Sequence, residues 1–436
     1  MYNSIFNEFD YILTKMQNRK IIENLTESFS SVVPKSDKRV NISHLQFIVF
    51  IVFHFLGDAK QSSLAGLRRF MMAETMIYIS RGAFWARLAG GRFKGIMESL
   101  VEQLMSKSIG AALFASDILR LLKVDGVLMI DSSIITLSVD AQRKFPGTGS
   151  GSKAGIKWHA CFDLFSGQLK WFKLTASKVH DRKCFPDVKM IKGKLIIFDL
   201  GYFDYRLIFE LMRASAFFLC RLKTNSVVTI KEVVSGLSID CVGKPLLSSC
   251  DLTTSKGNVI EAVIEKNIGK NNLNCRAIGF WNSDEKCYHW YLTNLFISAS
   301  IIYSLYRLRW QIELIFKSCK NSLNADAIPS ANPNIIESLL LASIAAHLST
   351  CSIYEIALNS LSQEKGLAVS FQRTAYVFSA LKYYFITCIL TPIQENIETI
   401  DSRIQFMMNE LFDPNYRTRN TSKAQIYKDL IALDTG

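Results

Sequence analysis

The sequence predicts an α/β protein with helical regions at both ends, on three observations. Apolar residues keep helical spacing through residues 1–115 and again beyond about 335. Between Leu121 and Leu222 the pattern changes to short strand-like runs separated by turns. Residues 303–320 then form a run without Gly or Pro whose apolar positions Leu305, Leu308, Ile312, Ile315 and Cys319 recur every three or four residues, one face of a helix.

In the first region, Leu45–Leu56 is apolar nearly all round and predicts the core helix of a small bundle. Ser62-Ser63-Leu64 caps a second helix through Leu67 and Phe70. A third begins near Ser80, with Phe84 and Leu88 beside Arg81, Arg87, Arg92 and Lys94. Two short helices and a basic one have the form of a helix-turn-helix-like unit whose last helix enters a major groove. A short basic helix with a solvated face is the plain alternative.

In the central region, Val124–Ile130 is a strand ending at Asp131, followed by Ile134–Ser138. Arg143–Ala154, rich in Gly, Ser and cations, is a loop. Gly155–Phe162 and Gln168–Thr175 are strands joined at Phe165-Ser166-Gly167. After His180-Asp181 come a short helix through Phe185 and Val188, a strand Lys194–Phe198 closed by Asp199, a helix Phe203–Ala214 and a strand Ala216–Leu222. Three strands, helix, strand, helix, strand is the order of an RNase H-like sheet.

Thr229–Val234, Val259–Lys266, Arg276–Trp281 and Tyr288–Leu292 predict a β-rich insertion forming a small sheet of little independent stability. The expected division is 1–115, helical and DNA-binding; 116–223, the first part of the core; 224–294, the insertion; 295–345, the rest of the core; and 346–436, helical and a candidate dimerisation region.

Formal net charge is +13 with pI ≈ 9.2, dispersed along the chain, which points to a polyanionic partner, nucleic acid or an acidic membrane. The ten cysteines form no Cys-x-x-Cys pair and no clustered Cys/His pattern, so reduced core thiols are expected rather than a disulfide or zinc framework. Leu45–Leu56 is broken by Gln46 and His54 and falls short of the roughly 20 residues that span a bilayer. With no basic-then-apolar leader at the start, a cytoplasmic protein with no membrane partner is expected, nucleoid-associated where its polyanionic partner is DNA.

The chemistry rests on three carboxylates. The first and fourth strands of an RNase H-like sheet are neighbours, so Asp131 and Asp199 converge, and a helix over that edge presents Glu313. On that helix Tyr306, Arg309, Glu313 and Lys320 share an arc of roughly 60°. Three oxygen donors with open positions suit Mg²⁺, with Mn²⁺ as a substitute. Two such ions about 4 Å apart serve phosphodiester cleavage. Taken singly, each aspartate reads as a turn residue and the helix as an amphipathic one with a Glu-to-Lys stripe.

Tyr306-x2-Arg309-x3-Glu313-x6-Lys320 resembles the YREK signature of bacterial insertion-sequence transposases, the DDE group called the insertion-sequence-four family. Asp131-Ser132-Ser133, Lys157 with Asp163 and Gly167, His180-Asp181, Asp199-Leu200-Gly201-Tyr202 and Leu292-Thr293-Asn294 support it, over about residues 121–325. The resemblance implies an RNase H-like core with an insertion before the Glu helix and cut-and-paste transposition. It also implies a homodimer bridging two element ends, with terminal inverted repeats and target DNA as double-stranded partners. It maps the metal triad onto Asp131, Asp199 and Glu313, and phosphate or strand-end contacts onto Tyr306, Arg309 and Lys320. Some members hold a flipped base on an insertion tryptophan, for which Trp281 and Trp290 are candidates; strand packing is their plain reading.

Lys153 and Lys157 suit DNA backbone or solvated surface, and Trp310 suits the core margin. Lys231, Lys244, Lys256, Lys266, Lys270 and Arg276 add cations to the insertion. The competing readings are a domesticated DNA-binding protein that no longer cuts, and a membrane-associated basic protein.

Overall fold

The computed structural model describes residues 2–34, 41–54, 63–107, 115–149, 153–248, 258–322, 328, 330–359 and 369–411. Helices α1 (Tyr2–Ser31), α2 (His44–His54), α3 (Leu64–Thr75), α4 (Arg81–Ala89), α5 (Gly91–Ser106) and α6 (Ala115–Leu122) come first. Serines open α3 and α4 as expected: Ser63 Oγ accepts from the Gly66 N–H and Ser80 Oγ from the Ala83 N–H. The basic third helix is divided at Gly90, where the backbone is extended. Two of its four cations serve the fold. Arg87 lies over the Phe47 ring and donates to the Ile42 carbonyl, and Lys94 pairs with Glu337.

Strands β1 (Val127–Thr136), β2 (Gly155–Asp163), β3 (Leu169–Ala176), β4 (Leu195–Phe198) and β5 (Phe217–Arg221) follow, with α7 (Tyr205–Arg213) between the last two. The helix expected through Phe185 and Val188 is instead two short 3-10 turns, Asp181–Lys183 and Val188–Ile191. The chain continues through β6 (Thr229–Ser235), β7 (Ile260–Ile268), β8 (Asn271–Asn282) and β9 (Cys287–Thr293). It ends in α8 (Ala299–Arg307), α9 (Trp310–Ser322), α10 (Pro333–Asn359), α11 (Phe371–Leu390) and α12 (Gln394–Phe406).

The nine strands of the described residues share one sheet, in the order β3-β2-β1-β4-β5-β9-β8-β7-β6. β1, β4 and β5 are mutually parallel, and every other pairing is antiparallel. The two-residue period of the strands divides the core. Val127, Met129, Leu195 and Ile197 face a helical layer. Leu128, Ile130, Ile196 and Phe198 face the layer that contains α7. The helical layer is built on α10, which packs against α1, α2, α4, α5 and α11. Among the described residues, Pro333–Leu358 is the one helix long and apolar enough to cross a membrane, and 89% of its apolar window is buried inside the protein.

The insertion does not form a separate small sheet. β9 pairs directly with β5, and residues of β6–β9 share a core with β4, β5 and α7. Replacing 226–290 by a short linker should therefore remove β6–β8 and about half of that core, and leave residues 291–293 of β9 as an unprotected sheet edge. We expect aggregation and loss of a cooperative thermal transition. A soluble variant melting like the parent would show the insertion to be an independent unit.

Candidate active site

Strand alternation brings the first two carboxylates together. The parallel β1–β4 register ends at Ile130↔Phe198, so Asp131 and Asp199 are the next residues on adjacent strands, both on the face toward the helices. Asp131 lies inside β1 rather than at its end: β1 outlasts β4 and continues to pair with β2, where Asp131 faces Ala160.

The third carboxylate comes from above. The single helix expected over 303–320 is two, α8 and α9, joined by a tight turn at Leu308-Arg309. There the Leu308, Arg309, Gln311 and Ile312 N–H groups each donate three residues back. Such a 3-10 turn within a helix often marks a functional hinge. The buried stripe still holds, with Leu305, Leu308, Ile312, Ile315 and Cys319 in the core.

The polar side chains meet at Arg309. Its Nη1 donates to Asp131 Oδ2 at 3.1 Å and its Nη2 to Glu313 Oε1 at 2.8 Å. The Tyr306 hydroxyl donates to Asp199 Oδ1 at 3.4 Å. Lys320 Nζ donates to the Ile134 carbonyl at 2.8 Å, farther along β1. Burial works to lower the Arg309 pKa but is outweighed by Asp199, Tyr306, Asp131 and Glu313, which hold it above its ordinary value. Burial pushes the Tyr306 phenol up, and Asp199 adds to the rise.

Burial also pushes the Asp131 carboxyl up to about 6; Asp199 and Glu313 add to the rise, against the Ser132 N–H and Arg309. An aspartate with a raised folded-state pKa favours the fold while protonated and loses that contribution as pH rises from about 4 through 6. At pH 7 the shift corresponds to at most about 3 kcal/mol against the fold. In EDTA, Asp131→Asn should therefore stabilise the protein by about 1–3 kcal/mol at pH 7.5. No gain is expected at pH 4. Denaturant unfolding at the two pH values measures this, and an equal change at both would contradict it.

A second polar cluster lies on the opposite face of the sheet. Lys157 Nζ donates to Asp181 Oδ1 at 3.0 Å and to the Val179 carbonyl at 2.8 Å. Ser132 Oγ donates to the same Asp181 oxygen at 2.9 Å. His159 lies between Tyr202, with Nδ1 3.0 Å from the hydroxyl, and Thr175. Burial lowers the His159 pKa to about 4, against the pull of Asp181, so the ring is neutral at pH 7. Gly201 packs closely here: a Cβ would come within 2.9 Å of the Asp181 carboxylate, which would have to shift. Lys157 is thus buried and engaged rather than presented to DNA backbone. The cluster's sequence signal was alternation, Lys157 and His159 falling two apart in an otherwise apolar strand.

The tryptophans separate. Trp290 is buried, with its ring against Gly279, so it is a packing residue and not a surface that a base could reach. Trp281 is half-buried beside Tyr288. Trp310, expected at the core margin, is 57% exposed. Arg276, counted among the insertion cations, is buried and forks onto Glu261 and the Leu295 and Ile297 carbonyls. His180 acts as a cap, its Nδ1 accepting from the Arg182 N–H. Lys256 lies outside the described residues.

Residues 123–349 match the family model described as a transposase DDE domain, which is more than half of the chain. The chain belongs to this DDE transposase family. Among similar curated proteins is the transposase for insertion sequence element IS1151 of Clostridium perfringens, 28% identical over 242 residues, 45% of this chain and 50% of that protein. A second is the transposase for IS231E of Bacillus thuringiensis subsp. finitimus, 24% identical over 45% of this chain and 49% of that protein. A putative transposase of Sinorhizobium fredii is 25% identical over 45% and 53%. The chain spans about half the length of these relatives. A solved piggyBac transposase synaptic complex with hairpin DNA aligns over 94% of this chain and 87% of its own at 12% identity, with a TM-score of 0.41.

Proposed function

We propose that this chain is a transposase that cuts and joins DNA at the ends of an insertion sequence, with Asp131, Asp199 and Glu313 as its catalytic, metal-holding carboxylates. The observation that carries this is the gathering of the three around one guanidinium. The order β3-β2-β1-β4-β5, antiparallel then parallel, supports an RNase H-like core for 116–223 and 295–345.

The donor set fits hard divalent cations. It offers carboxylate oxygens alone, and in the DNA-free protein Arg309 already supplies the positive charge that the cluster needs. Bound Mg²⁺, or Mn²⁺ in its place, would supply Lewis-acid polarisation of the scissile phosphate and a more acidic water, in a two-ion site. The chain's own residues do the remaining work. Asp131 and Asp199, fixed on adjacent strands, orient the site, and Glu313 closes it from α9. Arg309 and Tyr306 move from carboxylates to phosphate oxygens when a DNA end enters, since both are donors matched to such acceptors. In hydrolysis, a water oxygen bonds to phosphorus as the 3′-oxygen leaves, giving a free 3′-hydroxyl. That hydroxyl then attacks a target phosphate and displaces its 3′-oxygen.

The helical region 1–115 is assigned to the terminal inverted repeats through exposed Arg81 and Arg92, and 346–436 to pairing of two copies across the element ends. Residues 224–294 brace the DNA end, with half-buried Trp281 the candidate for base contact. Lys157 is reassigned to positioning, acting through Asp181 and Ser132 behind Asp131. Lys320→Ala should lower the salt slope of end binding by about one unit, as loss of one phosphate contact does. A loss equal at every salt concentration would make Lys320 a structural residue instead.

The deciding experiment uses purified protein and labelled DNA carrying the inverted repeats that flank its gene. Nicking at the repeat ends in Mg²⁺, absent in EDTA, is expected. Tight, specific binding without nicking in either Mg²⁺ or Mn²⁺ would overturn the proposal and leave a DNA-binding protein that does not cut.

A further inference from the structure

We propose that the β8–β9 hairpin carries a second metal site, with Glu285, Cys287 and His289 as ligands and a zinc-class divalent ion as occupant. Cys287 and His289 are alternate residues of β9 and share one face, while Tyr288 and Trp290 between and beyond them are buried on the other. Glu285 is turned back toward them by Asn282, whose Oδ1 accepts from the Asp284 and Glu285 N–H groups at 2.9 and 3.2 Å. His289 Nε2 then lies 2.8 Å from Glu285 Oε2, and Cys287 Sγ lies 3.8 Å from the same oxygen. All three ligand atoms are within 4.8 Å of one another. Asn282 Nδ2 is 3.3 Å from His289 Nε2, and Arg221 of β5 approaches Glu285 to 4.0 Å.

Tetrahedral zinc with bonds of about 2.0–2.3 Å separates its ligands by about 3.3–3.7 Å. The Glu285–Cys287 separation of 3.8 Å is already close to that, and the Glu285–His289 separation of 2.8 Å requires His289 to move outward by about half an ångström. Thiolate, imidazole and carboxylate together select a borderline-soft ion rather than Mg²⁺. Cys287 differs from the other described cysteines, all of which are buried. The ligands alternate along the strand, Glu-x-Cys-x-His, a spacing unlike the Cys-x-x-Cys of common zinc sites. β9 runs antiparallel to β5, so His289 and Cys287 project from the edge of the sheet that carries Asp131 and Asp199. They lie about 7 and 13 Å beyond Tyr291, the partner of Arg221. A metal here would tie β9 to its own turn and stiffen a hairpin at that edge, with water as the fourth ligand.

The test is Co²⁺ titration of the full chain in excess Mg²⁺, followed by Zn²⁺ displacement. One equivalent of Co²⁺ should give tetrahedral d–d absorption and a near-ultraviolet thiolate-to-metal band, both lost on adding Zn²⁺. Cys287→Ser should abolish the band, and His289→Ala should weaken Zn²⁺ binding at least about tenfold. Both variants should keep the parental circular dichroism, and Glu313→Gln should keep the band, which separates this site from the DDE carboxylates. No thiolate band in the parent, or a band that survives Cys287→Ser, would overturn the proposal.

Discussion

Asp131→Asn, Asp199→Asn and Glu313→Gln should each reduce cleavage of end DNA at least about a thousandfold in Mg²⁺, equal to about 4 kcal/mol of lost transition-state stabilisation. Affinity for the same DNA should change less than about threefold, because it comes from many dispersed phosphate contacts. The three substitutions keep shape and remove only charge, so folding is not the limiting factor. Asp131→Asn is the most informative, since it should gain stability in EDTA while losing activity. Under the proposed role, that pair of outcomes is the trade of stability for activity that active-site residues make. Nicking at near-parental rate by any one variant removes that residue from the site.

Arg309→Ala should have the next largest effect, in two opposed directions. In the DNA-free protein Arg309 bridges Asp131 and Glu313 with little exposure to solvent. Its loss leaves clustered carboxylates without a cation, a change that destabilises by about 3 kcal/mol when such a pair is buried. Saturating Mg²⁺ should restore part of that stability, and Mn²⁺ affinity of the free protein should rise about tenfold as the competing cation is removed. Cleavage should nevertheless fall about a hundredfold or more, because a charged donor aimed at phosphate is lost. Arg309→Lys should recover little, since one ammonium cannot fork across two acceptors. Thermal melts with and without Mg²⁺, beside single-turnover cleavage, separate these effects. An Arg309→Ala variant with unchanged Mn²⁺ affinity would show that the bridge does not compete with metal.

What could be read from the sequence was whatever a single segment determines. The β-branched run before Asp199, the serine caps at Ser63 and Ser80 and the apolar stripe from Leu305 to Cys319 are local facts, and they stand in the structure. The rest depends on partners. Asp131 lies mid-strand because β1 outlasts β4, a length mismatch visible only when both strands are paired. The insertion joins the main sheet because β5 has an open edge that β9 fills, which composition cannot report. The turn at Leu308-Arg309 contains neither Gly nor Pro, so tertiary contact overrode helix propensity there. Lys157 and Trp290 have the residue types of DNA contacts, but their alternation along β2 and β9 puts them inside.

The most direct measurement is Mn²⁺ binding to the protein–DNA-end complex by electron paramagnetic resonance, for the parent and the three carboxylate variants. One shared site for Asp131, Asp199 and Glu313 predicts two tightly bound ions in the parent and loss of at least one in every variant. Mn²⁺ binding of parental strength and stoichiometry in Glu313→Gln would contradict it, because α9 would then deliver its carboxylate to no metal.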